Sequence, residues 1–349
     1  MYKIEKKGHV SKRENFKIRL TAIILALLTS ALFIMLMDKN PLDVYLSMVD
    51  GAFGTEYRIR ETLVKSIPLI VTSLGISLAF RMKFWNIGGE GQIIMGAFSA
   101  TFVALTFPEM NSIILLSLMG LAGFVAGGLW GLIPAYFKAR FKTNETIFTL
   151  MMNYIALKWI TYLQYGPWKD PKALGFPKIP NFSVNAVLPN LFGIHSGWLI
   201  ALILAVIVHI YIRRTKSGYE INVVGESENT ARYAGINVKK VIMKTVFLSG
   251  AVCGITGMIQ ASAVNRTLST KLSAGVGYTA IITAWLAGLS SPLIILVSIL
   301  FAAMVQGGAF IQLAYQIPQS AAEILQSMIL FFVLGSEFFI RFKITKIRK

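Results

Sequence analysis

Apolar runs of about 20 residues, the length that crosses a bilayer, recur from end to end of this 349-residue chain. Backbone in hydrocarbon must satisfy its own hydrogen bonds, so such runs fold as helices. Composition points the same way. The chain is 55% hydrophobic and 14% charged, with a mean hydropathy of +0.64, whereas a soluble domain carries about a quarter charged residues. The pattern predicts an all-α polytopic membrane protein. Its spans are 20–37, 62–80, 86–107, 112–137, 145–164, 197–212, 241–262, 276–290, 292–314 and 321–340. The third and eighth are rich in glycine and polar residues, which leaves a broken or re-entrant segment open for both. An even count places both termini on one side. One transmembrane domain then covers 20–340, between a basic arm at 1–19 and a basic tail at 341–349.

Charge orients the bundle. The arm carries Lys3, Lys6, Lys7, Lys12, Arg13, Lys17 and Arg19; the tail carries Arg341, Lys343, Lys346, Arg348 and Lys349. Loops on the same side add Arg81, Lys83, Lys138, Arg140, Lys142, Arg213, Arg214, Arg232, Lys239 and Lys240, among others. The positive-inside rule makes this face cytoplasmic and puts the chain in the cell membrane with both termini inside. The net charge of +18 is then a property of that face, and no nucleic-acid partner is expected. A basic N-terminus before an apolar run imitates a signal peptide, but no small-x-small site follows, so the first span is expected to stay uncleaved. The lone cysteine, Cys253, can form no internal disulfide.

Two outer loops have size. Residues 38–61 hold Asp38, Asp43, Asp50, Glu56 and Glu61 against Lys39, Arg58 and Arg60. Residues 165–196 are dense in proline and aromatics, which predicts a fixed irregular cap; a seat for an external partner and a passive connector are both open.

Polar residues at membrane depth mark the bundle interior, because an ionisable side chain in hydrocarbon is costly. The segment Phe84-Trp-Asn-Ile-Gly-Gly-Glu-Gly-Gln92 is the densest such place. It reads either as a solute path beside a broken helix or as a glycine-rich packing hinge with Glu90 held structurally. Candidate path residues are Glu90, Gln92, Asn153 and Trp285, since amide and aromatic groups can bond and stack on a flat or hydroxylated solute. Interhelical hydrogen bonding is the other reading of each. Gly123, Gly127 and Gly131, and Gly250 with Gly254, recur at four-residue spacing, which suits close helix packing in lipid.

Between the sixth and seventh spans lies a polar, small-residue island, Gly225-Glu-Ser-Glu-Asn-Thr-Ala-Arg-Tyr-Ala-Gly-Ile-Asn-Val238, within a loop spanning 213–240. Ser227 can cap a short helix starting near Glu228, whose charge suits the positive end. Ala231 and Ala234 fall on one face, and Gly235 can end the helix in a left-handed conformation. That face could enter a partner's groove with Arg232 and Tyr233 at the rim; an ordinary surface helix is the alternative.

Signatures of catalysis are missing: there is no His-Glu-x-x-His, no Cys/His cluster, no Gly-x-Ser-x-Gly and no phosphate-binding loop. No catalytic residue and no metal site is expected, and the chain is not read as an enzyme. Transport powered by a nucleotide would need another chain to bind it.

Three segments together resemble the permease subunit of bacterial ABC importers, in the branch of ribose-type sugar and nucleoside permeases. They are Phe84 to Gln92, Thr143-Asn-Glu-Thr-Ile-Phe-Thr-Leu-Met-Met-Asn-Tyr-Ile-Ala156, and Gly225 to Val238 with its Ala-Arg-Tyr-Ala-Gly-Ile core. The first two lean toward the nucleoside-type subgroup. The resemblance runs from about residue 60 to 340 and implies a type II importer-like fold of ten spans. It implies a pair of permeases (a paralogue or an identical chain), two ATPases that hold ATP and magnesium, and an external substrate-binding lipoprotein. It also implies that 225–238 is the loop contacting the ATPase, through Glu228, Ala231, Arg232, Tyr233, Ala234 and Gly235. In such a fold spans two to five and seven to ten form an inverted repeat, with Gly88-Gly89 and Gly275-x-Gly277 in corresponding places. The rival function is a stand-alone ion-coupled transporter of a small polar solute, using Glu90 or Glu323.

Overall fold

The computed structural model describes residues 2–7 and 11–346. All ten predicted spans are helices: α1 (Lys12–Met35), α3 (Glu56–Arg81), α4 (Gly89–Thr106), α5 (Ser112–Phe141), α6 (Glu145–Tyr165), α7 (Gly197–Arg214), α10 (Val238–Ile259), α11 (Val276–Leu286), α12 (Ser291–Ala314) and α13 (Gln319–Arg341). Seven among the described residues are long and apolar enough to cross a membrane; α4, α6 and α11 are not among them, and α11 has only 11 residues.

Capping side chains set most of the starts. Ser11, Asn111, Asn144 and Asn237 each accept a backbone N–H from the first turn of α1, α5, α6 and α10, which satisfies donors a helix leaves open. The 38–61 loop is partly helical. Asn40 caps and Pro41 opens a further helix, α2 (Pro41–Phe53), with Val44, Gly51 and Ala52 buried. Its polar residues Asp43, Ser47 and Asp50 fall on one face at helical spacing, which leaves an apolar face to bury. Likewise the 213–240 loop is mostly helical, as α8 (Lys216–Glu226) and α9 (Glu228–Tyr233).

Contacts divide the chain into two units, residues 1–62 with 300–349, and residues 63–299. In the first, strand β1 (Tyr2–Lys6) pairs antiparallel with the C-terminal strand (Phe342–Lys346), Tyr2 opposite Lys346, so the two ends of the described chain meet. There α2 lies close on the second half of α12, where a Cβ on Gly307 would overlap the Met48 backbone.

In the second unit, α4, α5 and α10 touch backbone to backbone, α5 and α10 through the predicted glycines and α4 through Gly96. A Cβ on Gly254 would overlap the Gly123 carbonyl, one on Gly96 the Gly254 backbone, and one on Gly127 the Gly250 carbonyl. Small residues allow this approach where lipid supplies no hydrophobic drive. Past Ile259 the helix continues as a π-helical turn, Gln260–Asn265, a form that opens extra backbone to partners. The cap uses it. The Ser262 hydroxyl donates to the Ala186 carbonyl at 2.6 Å and accepts from the Leu188 N–H at 3.0 Å. The Phe182 N–H donates to the Arg266 carbonyl at 2.9 Å. Within the cap a two-residue turn, Phe192-Gly193 with both φ positive, closes a small hairpin of β2 (Asn190–Leu191) and β3 (Ile194–His195). The 165–196 segment is therefore the fixed irregular cap its prolines predict.

Candidate functional site

The polar residues of 86–92 are tied to three other helices. Asn86 and Gln92 exchange amide hydrogen bonds, each 3.1 Å, and the Asn86 amide also donates to Ser249 on α10 at 3.1 Å. Asn153 on α6 accepts the Gly91 N–H at 2.8 Å and donates to the Ile87 carbonyl at 3.0 Å and the Tyr278 hydroxyl at 3.2 Å. Glu90 reaches α11. Its two carboxylate oxygens accept the Gly275 N–H at 3.0 Å and the Gly277 N–H at 2.7 Å. No side chain of its own caps α11, which starts on Gly275 at φ 79; an anion from α4 sits there instead, where the helix dipole favours it. A Cβ on Gly277 would overlap the Glu90 N–H and Cα region, so glycine is needed there for the contact to form.

The island folds as the sequence suggests. The Ser227 hydroxyl accepts the Thr230 N–H at 3.2 Å, Glu228 opens α9, and Gly235 follows it at φ 76. The Ile236 N–H closes the end onto the Ala231 carbonyl at 2.9 Å. One detail differs. Ala231 is fully buried against its own chain, so it anchors the stub and cannot enter a partner's groove. The open surface is Arg232, Tyr233, Ala234 and Gly235, with Tyr233 94% exposed and Arg232 paired loosely with Glu228 at 3.4 Å.

Stub and polar junction meet at the turn between α3 and α4. Gly225, at the end of α8, presses on the Arg81 carbonyl so closely that no Cβ fits. Lys83 reaches the Glu226 carbonyl at 3.4 Å. From the same turn the Arg81 guanidinium donates to the Leu289 carbonyl, just past α11, at 2.6 Å. The end of α8 thus touches the turn that leads into α4, and the same turn holds the residue just past α11.

A family described as the branched-chain amino acid transport system / permease component matches residues 58–334. The chain belongs to this permease family. It is 31% identical to the guanosine ABC transporter permease protein NupP of Bacillus subtilis, over 97% of this chain and 99% of that protein. It is 30% identical to the glucose ABC transporter permease protein TsgB13 of Haloferax volcanii, over 92% and 88%. It is 28% identical to the nucleoside ABC transporter permease protein NupB of Lactococcus lactis, over 93% and 92%.

In this permease three of the four path candidates come together and the fourth does not. Glu90, Gln92 and Asn153 belong to one buried network, and each spends its polar atoms on protein partners. Trp285 stands apart, at the other end of α11 beside Trp85 and Phe80. Glu323 on α13 accepts the Gln319 amide at 2.7 Å. Sequence reasoning did not mark Tyr278, and it named Arg81, Gly225 and Gly277 without the contacts they make. An arginine at a basic helix end reads as one more positive-inside charge, Gly225 as the start of the polar island, and Gly277 as the partner of Gly275.

Proposed function

We propose that this permease carries nucleosides inward as the membrane subunit of an ATP-driven importer, with partner ATPases seated on α8–α9. The observation that carries the reading is the stub itself. A short helix fixed at both ends turns an exposed Arg232-Tyr233-Ala234-Gly235 edge outward, while Ala231 is buried and the neighbouring Gly225 bears on the end of α3. Such a piece can take a push from outside the membrane and deliver it to the bundle. The full-length likeness to guanosine and nucleoside permeases supports nucleosides as cargo; the likeness to a glucose permease keeps simple sugars as the alternative.

The basic face supports a cytoplasmic placement of α8–α9 and of both termini in a bacterial cell membrane. The remaining partners of the reading are a second permease, ATPases that hold ATP and magnesium, and an external binding lipoprotein facing the 165–196 cap. The permease itself does no covalent chemistry. An ion-coupled transporter working alone would need a free interior carboxylate, and both oxygens of Glu90 are engaged by backbone N–H groups.

The test is purification of the tagged chain from its native membranes in mild detergent, with mass identification of what accompanies it. An ATPase in stoichiometric amount, lost on Tyr233→Ala or Arg232→Glu, is the expected result. Recovery of the chain alone, from membranes where other complexes survive the same detergent, refutes the reading. Uptake of labelled guanosine against labelled glucose in the reconstituted complex decides between the two cargo classes.

A further inference from the structure

Trp85 lies on the α3–α4 turn between two deeply buried neighbours, Phe84 at 3% and Asn86 at 0% exposure, yet its own indole is 43% exposed. The chain is anchored on both sides of it and turns its ring outward. An isolated tryptophan at a membrane edge would be an ordinary interfacial anchor. This one is not isolated. It meets Trp285, from the last turn of α11, with ring centroids 5.6 Å apart and planes inclined by 33°. Phe80, itself buried, backs both rings at 5.4 and 6.1 Å. An exposed indole and a partly buried one, from different elements, thus meet on an aromatic base.

We propose that Trp85 and Trp285 form an aromatic gate at the end of the bundle nearest the α8–α9 stub, and that the gate recognises the flat ring of the solute by stacking. The inference rests on the nucleoside reading and adds where the base is recognised. A flat ring held between two indoles needs van der Waals contact on each face, about 3.5 Å each, hence about 7 Å between the two indole planes. With centroids at 5.6 Å and planes inclined by 33° the pair is shut to it, and opening takes a relative shift of about 1–2 Å on the same contact distances together with a turn of the rings toward parallel. The two rings ride on the segments the stub engages. Trp85 follows Arg81, against whose carbonyl Gly225 abuts, and Trp285 precedes Leu289, whose carbonyl the Arg81 guanidinium holds. Stacking is indifferent to ring substituents because every base has a π face. It discriminates against solutes with no aromatic ring, and a simple sugar offers none.

The experiment uses the complete importer reconstituted in proteoliposomes, with labelled guanosine as probe and ATP hydrolysis measured in parallel. Trp85→Leu and Trp285→Leu should each lower guanosine uptake by roughly 5- to 100-fold, the loss of one stacking face. ATP hydrolysis should stay within about twofold of wild type, and Trp85→Phe and Trp285→Phe should restore most of the uptake, since phenylalanine keeps a π face. Three results overturn the gate. They are leucine variants that transport like wild type, phenylalanine variants as impaired as the leucine ones, and parallel loss of complex assembly or ATP hydrolysis in both series. A wild-type importer that takes up no nucleoside overturns the cargo reading itself, a failure seen before any variant is made.

Discussion

Replacing Glu90 by glutamine separates the two roles open to that residue. The carboxylate accepts two N–H bonds, from Gly275 at 3.0 Å and Gly277 at 2.7 Å, at the start of a helix with no cap of its own. An amide has the same shape but one acceptor and one donor. Its oxygen can keep the shorter bond; its NH2 must then face the other N–H. One charge-assisted bond is lost outright, worth about 1.5–3 kcal/mol, and the other becomes neutral, worth about 1. The interaction with the helix end adds roughly 0.3–1 kcal/mol. The expected loss is about 2–6 kcal/mol, localised at the junction of α4 and α11. Hydrogen exchange by mass spectrometry on the detergent-purified complex should show faster exchange in 275–286, with the glycine-packed α4–α5–α10 contacts unchanged. Uptake should fall in proportion and remain ATP-dependent. Unchanged protection of 275–286 in the Glu90→Gln complex would refute the capping argument. Wild-type protection with abolished uptake would return Glu90 to the path and to ion coupling.

Other expectations follow from single contacts. Gly254→Val should cut the yield of monodisperse protein on size-exclusion chromatography severely. Its side chain meets the Gly123 carbonyl, and overpacking of this kind costs about 1–3 kcal/mol or more; a normal elution profile would contradict the backbone contact. Gly235→Val should leave insertion intact and uncouple ATP hydrolysis from uptake in proteoliposomes. Nothing crowds that position, but its φ of 76 costs a side-chain-bearing residue about 1–2 kcal/mol and so distorts the stub locally. Arg81→Met should have a similar signature, hydrolysis without uptake, because it keeps the side-chain length and removes the bond to Leu289. His195, buried in the cap with neither ring nitrogen bonded, is pushed down to about 4 by burial. The unfolded segment takes up a proton below about 6.5 while the folded one does not, so stability of the cap is full above that pH. It declines as pH falls toward 4, by about 3 kcal/mol in all. Limited proteolysis of 165–196 should accelerate at pH 4.5 relative to pH 7, and His195→Phe should flatten the difference.

What the sequence made legible is whatever one residue decides alone. Ser227 and Gly235 carry the two ends of α9 in their own chemistry, a hydroxyl that accepts and a backbone that tolerates positive φ, and both are found in those roles. Gly123, Gly127, Gly250 and Gly254 announce close packing by their spacing, and the helices do touch there. What stayed hidden needs two residues far apart in the chain. Polarity at membrane depth marks Glu90 as important but is silent on its partner, because two backbone N–H groups 185 and 187 positions away leave no side-chain signal. The same holds for α2, whose buried face depends on α12, and for Ala231. Helical spacing puts Ala231 and Ala234 on a common stripe, and only the fold of α8 against the α3–α4 turn decides that one of them faces in. Trp285 was marked for its ring; that Trp85 stands against it follows from α11 being clamped at its start by Glu90 and beyond its end by Arg81. These ties hold the shortest of the ten predicted spans at its start and beyond its end. A helix of 11 residues is too short to be held by span length or burial alone, so its position has to be set by hydrogen bonds from its neighbours.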